Sequence, residues 1–167
     1  MDAKLLALAA RVIQKSNREH SADSVLREEL RAHRGLSRRQ SSEVSRALFA
    51  YYRWFGWLDN GNSALSDQIQ CALDFARDFA LQPKSFSDSE LVARAVPGWL
   101  GNEMDITPDW VRTLQAEPRL WLRARHGRGK ALAEILGDCR SYGEGPLADV
   151  LEYTGEEDLF RTAEFHA

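Results

Sequence analysis

With 167 residues, 44% hydrophobic and 28% charged, the chain has the composition of an ordinary globular protein. It is long enough for a sizeable core in one domain or for two small ones. No run of about 18 apolar residues is present, which excludes a membrane-spanning helix. The formal net charge of −3 is unevenly spread: +5 over residues 1–53, −6 over 54–118 and −2 over 119–167.

In chain order, Asp2 to Gln14 places Leu5, Ala9, Val12 and Ile13 on one helical stripe and leaves Lys4, Arg11 and Lys15 wet. This is a short amphipathic packing helix and not a signal peptide. Ser21 or Asp23 caps a second helix in which Leu26, Leu30 and His33 share a face, with Gly35 as the expected stop. The central element is Ser37 to Leu58. Its apolar positions Val44, Ala47, Leu48, Tyr51, Tyr52, Phe55 and Leu58 recur at steps of three and four. Ser37 and Gln40 have capping-box spacing, and Asn60-Gly61 tolerates a left-handed exit. A helix of that length spans about 33 Å and forms a tight pair with its predecessor across a connection of about one or two residues.

Ser66 is the expected cap of a helix running towards Phe79, with Ile69, Leu73, Ala76 and Phe79 or Ala80 inward and Pro83 at its end. Ser87 and Glu90 repeat the capping-box spacing before Leu91, Val92 and Ala95, and Pro97-Gly98 interrupts the next few residues. Thr107-Pro108 then opens a short helix presenting Trp110, Val111 and Leu114. The pattern changes at Pro118. Leu120, Leu122 and Ala124 alternate with Trp121, Arg123 and Arg125, the period of a strand. Lys130 to Leu136 reads as a helix with its exit at Gly137, and Leu147 to Tyr153 as a second strand. The expected fold is mainly α: a helical bundle over residues 1–115, then a small α/β unit over 116–167.

Chemistry-bearing residues are sparse. His20, His33, His126 and His166 form no HExxH or other metal pattern, and no glycine-rich nucleotide fingerprint follows a strand. Cys71 and Cys139 lack metal-ligand spacing and do not indicate an oxidising compartment, so the expected location is cytoplasmic. Cys71 reads as a small core residue, Cys139 as a loop or boundary residue. No catalytic, metal or cofactor-binding residue is assigned within the chain.

The aromatic stretch Tyr51, Tyr52, Trp54, Phe55 and Trp57 admits core packing, which helical periodicity favours for most of the rings, or base stacking. Arg27, Arg31, Arg34, Arg38, Arg39 and Arg46, with Arg53, form the first basic group. Guanidinium groups suit phosphate oxygens and would position RNA without reading its sequence. Glu28, Glu29 and Glu43 are placed to neutralise several of them, so a solvated helical surface is the competing reading. A second group is Arg119, Arg123, Arg125, Arg128 and Lys130 with His126, where Gly127 and Gly129 could turn backbone amides to an anion. Gly-Arg-Gly-Lys lacks the spacing of a phosphate loop.

The ordered set LREELRAHRGLSRRQSSEVSRALFAYYRWFGWL, AVPGWL, TPDWV and PRLWLRAR resembles the N-terminal portion of the NOL1/NOP2/Sun family of RNA cytosine C5-methyltransferases, bacterial 16S ribosomal RNA enzymes included. The resemblance implies an all-helical RNA-binding domain like that of the antitermination protein NusB. A small α/β region then leads into an S-adenosylmethionine-binding methyltransferase domain. It further implies structured ribosomal RNA, from the small subunit, as partner; the candidate RNA-binding residues remain those read above from charge and position, Arg27, Arg31, Arg34, Arg38, Arg39, Arg46, Arg123, Arg125 and Arg128. Leu122-Arg123 matches the start of a family segment that commonly ends in Val-Asn, but Ala124-Arg125 follows here. The family's cysteines in Pro-Cys and Thr-Cys contexts are absent too, since Cys71 follows Gln70 and Cys139 follows Asp138. Gly155 to Ala167 looks like the approach to the catalytic domain, so the chain reads as a truncated, non-catalytic RNA-positioning region. S-adenosylmethionine belongs to the full-length protein. A helical protein-interaction module without direct RNA binding is the alternative, and a self-contained enzyme of unrecognised type a third.

Overall fold

The computed structural model of the chain describes residues 1–58, 63–155 and 159. The fold is mainly α with a small sheet near the C-terminus, and it divides into two compact units, Met1–Glu117 and Pro118–Ala167.

The first unit begins with α1 (Ala3–Lys15), capped by the Asp2 carboxylate, which accepts from the Lys4 amide at 2.7 Å. Leu5, Leu8, Ala9 and Val12 are buried, and Ile13 lies at the edge of the stripe. Ser21 caps α2 (Ala22–Ala32), which stops earlier than expected: His33 is the C-cap, and Gly35 does not adopt a positive φ. In α3 (Arg38–Arg53) the capping box closes in both directions. The Ser37 hydroxyl accepts from the Gln40 amide at 3.2 Å, and the Gln40 side-chain oxygen accepts from the Ser37 amide at 2.9 Å. Val44, Ala47 and Leu48 are fully buried where α3 packs on α1 and on α4 (Leu65–Leu81).

The central helix is shorter than the apolar pattern suggests. It ends at Arg53, and a 3-10 turn over Phe55–Trp57 takes its place; Asn60-Gly61 lies outside the described residues. At Gly56 the backbone presses on α5 (Asp88–Arg94), where an added Cβ would stand 2.0 Å from the Arg94 carbonyl oxygen, so only glycine fits. The tighter turn carries Trp57 inward, and its Nε1–H donates to the Glu90 carboxylate at 2.8 Å. Trp54 is fully buried, with ring centroids of Trp57, Phe86, Phe75 and Phe79 at 4.8, 5.2, 5.6 and 5.6 Å. This cluster is the second half of the core. Tyr52 and Phe55, expected inward, instead stand 43% and 45% exposed, beside Phe49 at 45%. Core packing therefore holds for Tyr51, Trp54 and Trp57, but not for every ring.

Helix α4 starts at Leu65, with Ala64 rather than Ser66 at its N-cap and no side-chain cap bond. Ile69, Ala72 and Phe79 are buried, whereas Cys71 is exposed. One residue is about 100° of helical rotation, so Cys71 falls off the Ile69–Ala72–Phe79 line. Ser87 caps α5 through the Glu90 amide at 3.2 Å, while the Glu90 side chain is engaged by Trp57. α6 (Pro108–Gln115) has Thr107 as cap and Pro108 in its first turn, with Val111 buried and Leu114 exposed. Arg112 ties α6 down: it donates to Asp88 at 2.6 and 2.8 Å and to the carbonyls of Pro83 and Phe86 at 2.7 and 2.8 Å.

The second unit runs β1 (Leu120–Arg123), α7 (Gly129–Leu136), β2 (Cys139–Ser141) and β3 (Val150–Tyr153). Gly137, at φ +74°, ends α7. The sheet order is β1-β3-β2, both pairings antiparallel. Two expectations change here. The strand foreseen at Leu147 starts at Val150, since Gly145–Leu147 forms a 3-10 turn, and Cys139 opens a strand instead of lying in a loop. Among the described residues no helix is long and apolar enough to cross a membrane.

Candidate nucleic-acid interface

The first basic group gathers around the α2–α3 connection. Arg27 and Arg31 lie on α2, Arg34 in the turn, Arg38 and Arg39 in the first turn of α3, and Arg46 two turns further on; all are exposed. Their local pairing is thin. Arg27 pairs with Asp23, Arg39 with Glu43 at 3.2 Å and Arg46 with Glu117 at 3.2 Å. Among the described residues Arg31, Arg34 and Arg38 form no ion pair. Exposed pairs of this kind contribute about 0–1 kcal/mol, so Arg27 and Arg39 can exchange a carboxylate for a phosphate at little cost. Arg38 and Arg39 also sit at the positive end of the α3 dipole, which favours anions and not guanidinium groups. That unfavourable placement is relieved when an anion docks there.

Glu29 neutralises none of these arginines. It is buried between α1 and α2, where Lys15 donates to it at 2.5 Å and Arg11 and His33 lie 3.6 and 3.7 Å away. The Lys15 hydrogen bond, against the opposing effect of burial, holds its carboxyl below the usual range. Glu29 is thus a structural tie. Arg53, beside the exposed rings, has its pKa lowered by burial, with Glu117 acting in the opposite direction.

In the second unit Arg123, Arg125 and Arg128 are exposed, and Arg128 precedes α7. The glycine amides do not face an open anion site. The Asp149 carboxylate already accepts from Gly127 and Gly129, each at 2.9 Å, with His126 Nδ1 3.5 Å away. Those amides hold the Asp149 pKa down. Gly129 is packed so closely that a Cβ would stand 2.3 Å from the Ala148 carbonyl oxygen.

The sheet adds residues that sequence reasoning missed. Trp121 stands level with Glu152, and Glu152 level with Arg140. Tyr142 extends the β2 side, its amide donating to the Val150 carbonyl at 3.4 Å. Trp121 and Tyr142 meet edge-to-face with centroids 4.8 Å apart, and Arg119 donates to the Tyr142 hydroxyl at 2.7 Å. The available signal is a two-residue alternation over Arg140 and Tyr142, too short to distinguish from a loop.

Burial and Asp138 push the Cys139 thiol up, and burial and Asp74 push Cys71 up, away from thiolate character. Among the described residues no group of three His, Cys, Asp or Glu could hold a metal ion. The strand-to-helix glycine turn between β1 and α7 spends its Gly127 and Gly129 amides on Asp149. No family model, characterised protein or solved structure matches the chain.

Proposed function

We propose that the chain is the non-catalytic, substrate-positioning N-terminal region of an S-adenosylmethionine-dependent ribosomal RNA cytosine C5-methyltransferase, with a NusB-like helical unit that holds structured small-subunit RNA. The observation that supports this most is the exposed arginine group around the α2–α3 connection, three of whose members make no ion pair among the described residues. Contacts to phosphate fix the register and orientation of an RNA without reading its bases. Cofactor and nucleophile then reside in a C-terminal methyltransferase domain. Cytoplasmic location follows from that role.

The test is a salt series with matched structured RNAs and the variant carrying Arg31→Gln, Arg34→Gln, Arg38→Gln and Arg39→Gln, folding being checked by circular dichroism. Wild type should bind with a steep salt dependence, and the variant should lose affinity across RNAs of similar shape and show a smaller salt slope. Equal affinities at every salt concentration would refute the assignment. A second reading, a helical protein-interaction module, is favoured by one observation: Phe49, Tyr52 and Phe55 are exposed together. Under it, Phe49→Ser with Tyr52→Ser would abolish partner binding, and wild type would bind none of the structured RNAs.

A further inference from the structure

We propose that the open face of the three-stranded sheet is a platform on which unpaired nucleotides of an RNA strand stack, with Trp121 and Tyr142 as the stacking surface and Arg123 and Arg140 as the phosphate contacts. The inference deepens the RNA-positioning reading and rests on it. It names single-stranded nucleotides as what the second unit takes.

The geometry begins with register. Trp121, Glu152 and Arg140 are cross-strand neighbours on one face, and the alternation of side chains along a strand adds Arg123 beside Trp121 and Tyr142 beside Arg140. The opposite face belongs to α7: Cys139 and Ser141 line a shallow depression with Lys130, Ala133 and Glu134 of that helix. Among the described residues no helix of this unit covers the Trp121 face. Its two rings meet over the central strand and remain 46% and 51% exposed.

The charges around the rings are arranged unequally. Glu152, the acid at the centre, is 8% exposed and has Arg119 Nε at 3.4 Å. Arg119 also donates to the Tyr142 hydroxyl, so it neutralises the acid and fixes the ring in one step. Arg123 and Arg140 are exposed and make no ion pair among the described residues. Half-exposed rings flanked by two uncompensated guanidinium groups match planar bases on an anionic backbone. A duplex offers the phosphates but keeps its bases stacked inside. An apolar protein surface would desolvate both arginines without a partner, and an acidic one would leave the rings unused.

The experiment uses the full chain with a short fluorescein-labelled single-stranded RNA of mixed sequence, a duplex of equal length and an abasic strand of equal length. Trp121→Leu should weaken single-strand binding by about tenfold, within the range measured for base–aromatic stacking, and Trp121→Phe should restore most of it. The abasic strand should bind more weakly and be indifferent to Trp121→Leu. Arg123→Gln with Arg140→Gln leaves the ring pair in place and should lower the salt slope by about 1.4, the share of two phosphates on a single strand.

Equal single-strand affinity in wild type and Trp121→Leu, with matching circular dichroism, overturns the platform. Should Trp121→Leu fail to fold, an unchanged salt slope in the arginine variant overturns it instead. The fourfold helical variant in the same assay separates the two readings: loss there with Trp121 silent defeats the platform alone. No binding of any RNA defeats both, and a protein covering the sheet becomes the reading.

Discussion

Two adjacent residues of α3 test the placement of the core directly. Leu48 is fully buried between α1 and α4, whereas Phe49 is 45% exposed one residue later. Leu48→Ala removes about three carbons at roughly 0.8 kcal/mol each, near 2.4 kcal/mol before any cavity is counted. The helices on both sides limit collapse, so a total of about 3–5 kcal/mol is expected. For Phe49→Ala, about half of a full burial worth roughly 2 kcal/mol is lost, and about 0.5 kcal/mol returns through the higher helix propensity of alanine. The net is near 0.5 kcal/mol despite the larger side chain removed. Urea unfolding followed at 222 nm measures both, since α1 to α6 carry most of the helical signal. With m of roughly 1.5 kcal/mol/M, the Leu48 variant should lose about 2–3 M in midpoint and the Phe49 variant well under 1 M at constant m. Equal shifts, or a larger one for Phe49, would refute the orientation of α3.

Glu29 has a depressed folded pKa, so its contribution is present above the ordinary carboxylate value and is lost as pH falls through the folded one. Urea midpoints taken from neutral to strongly acid pH should show that loss in wild type and not in Glu29→Gln. Asp149→Asn should speed amide hydrogen exchange at Gly127 and Gly129, whose N–H groups the carboxylate accepts; unchanged exchange there would contradict the bonding. Because a Cβ at Gly129 would meet the Ala148 carbonyl, Gly129→Ala should unfold the sheet unit while leaving the α3 amides protected, as hydrogen exchange can report unit by unit. Purified chain supplied with S-adenosylmethionine and ribosomal RNA should transfer no methyl group, and C5 methylation above a no-protein control would overturn the proposed division of labour.

Local signals in the chain are readable where a single turn contains the whole interaction. Ser37 with Gln40, Thr107 with Pro108 and the exit at Gly137 all behave as their spacing implies. Not every local signal holds, since Ala64 and not Ser66 stands at the N-cap of α4 and His33 rather than Gly35 ends α2; the larger errors fall where partners are distant in sequence. Nothing near Phe55 announces that Gly56 runs against Arg94, and without that approach the apolar period carries the helix on to Leu58. The amides of Gly127 and Gly129 look free until Asp149, 20 residues beyond Gly129, returns to fill them. Cys71 misleads because it stands next to buried Ala72 and two residues from buried Ile69, and only the rotation separates them. In the candidate interface the arginines on α2 and α3 can be read as a group. The joining of Trp121 to Tyr142 needs the register of strands that are not neighbours in the sheet.

The strand order also governs when the second unit can exist. Among the described residues β1 and β2 do not pair with each other, and each is bonded to β3, the latest of the three to be synthesised. A nascent chain that has reached Ala148 holds both outer strands with nothing between them, and closure waits for a contact from Arg123 to Val150 and from Ser141 to Leu151. Loop closure must precede any reward from such pairing. In the first unit, by contrast, α1 meets α2 and α3 meets α4 while the chain is still growing. The helical unit is therefore expected to be folded on the ribosome before the sheet begins, and the sheet to form in one step once Tyr153 has emerged.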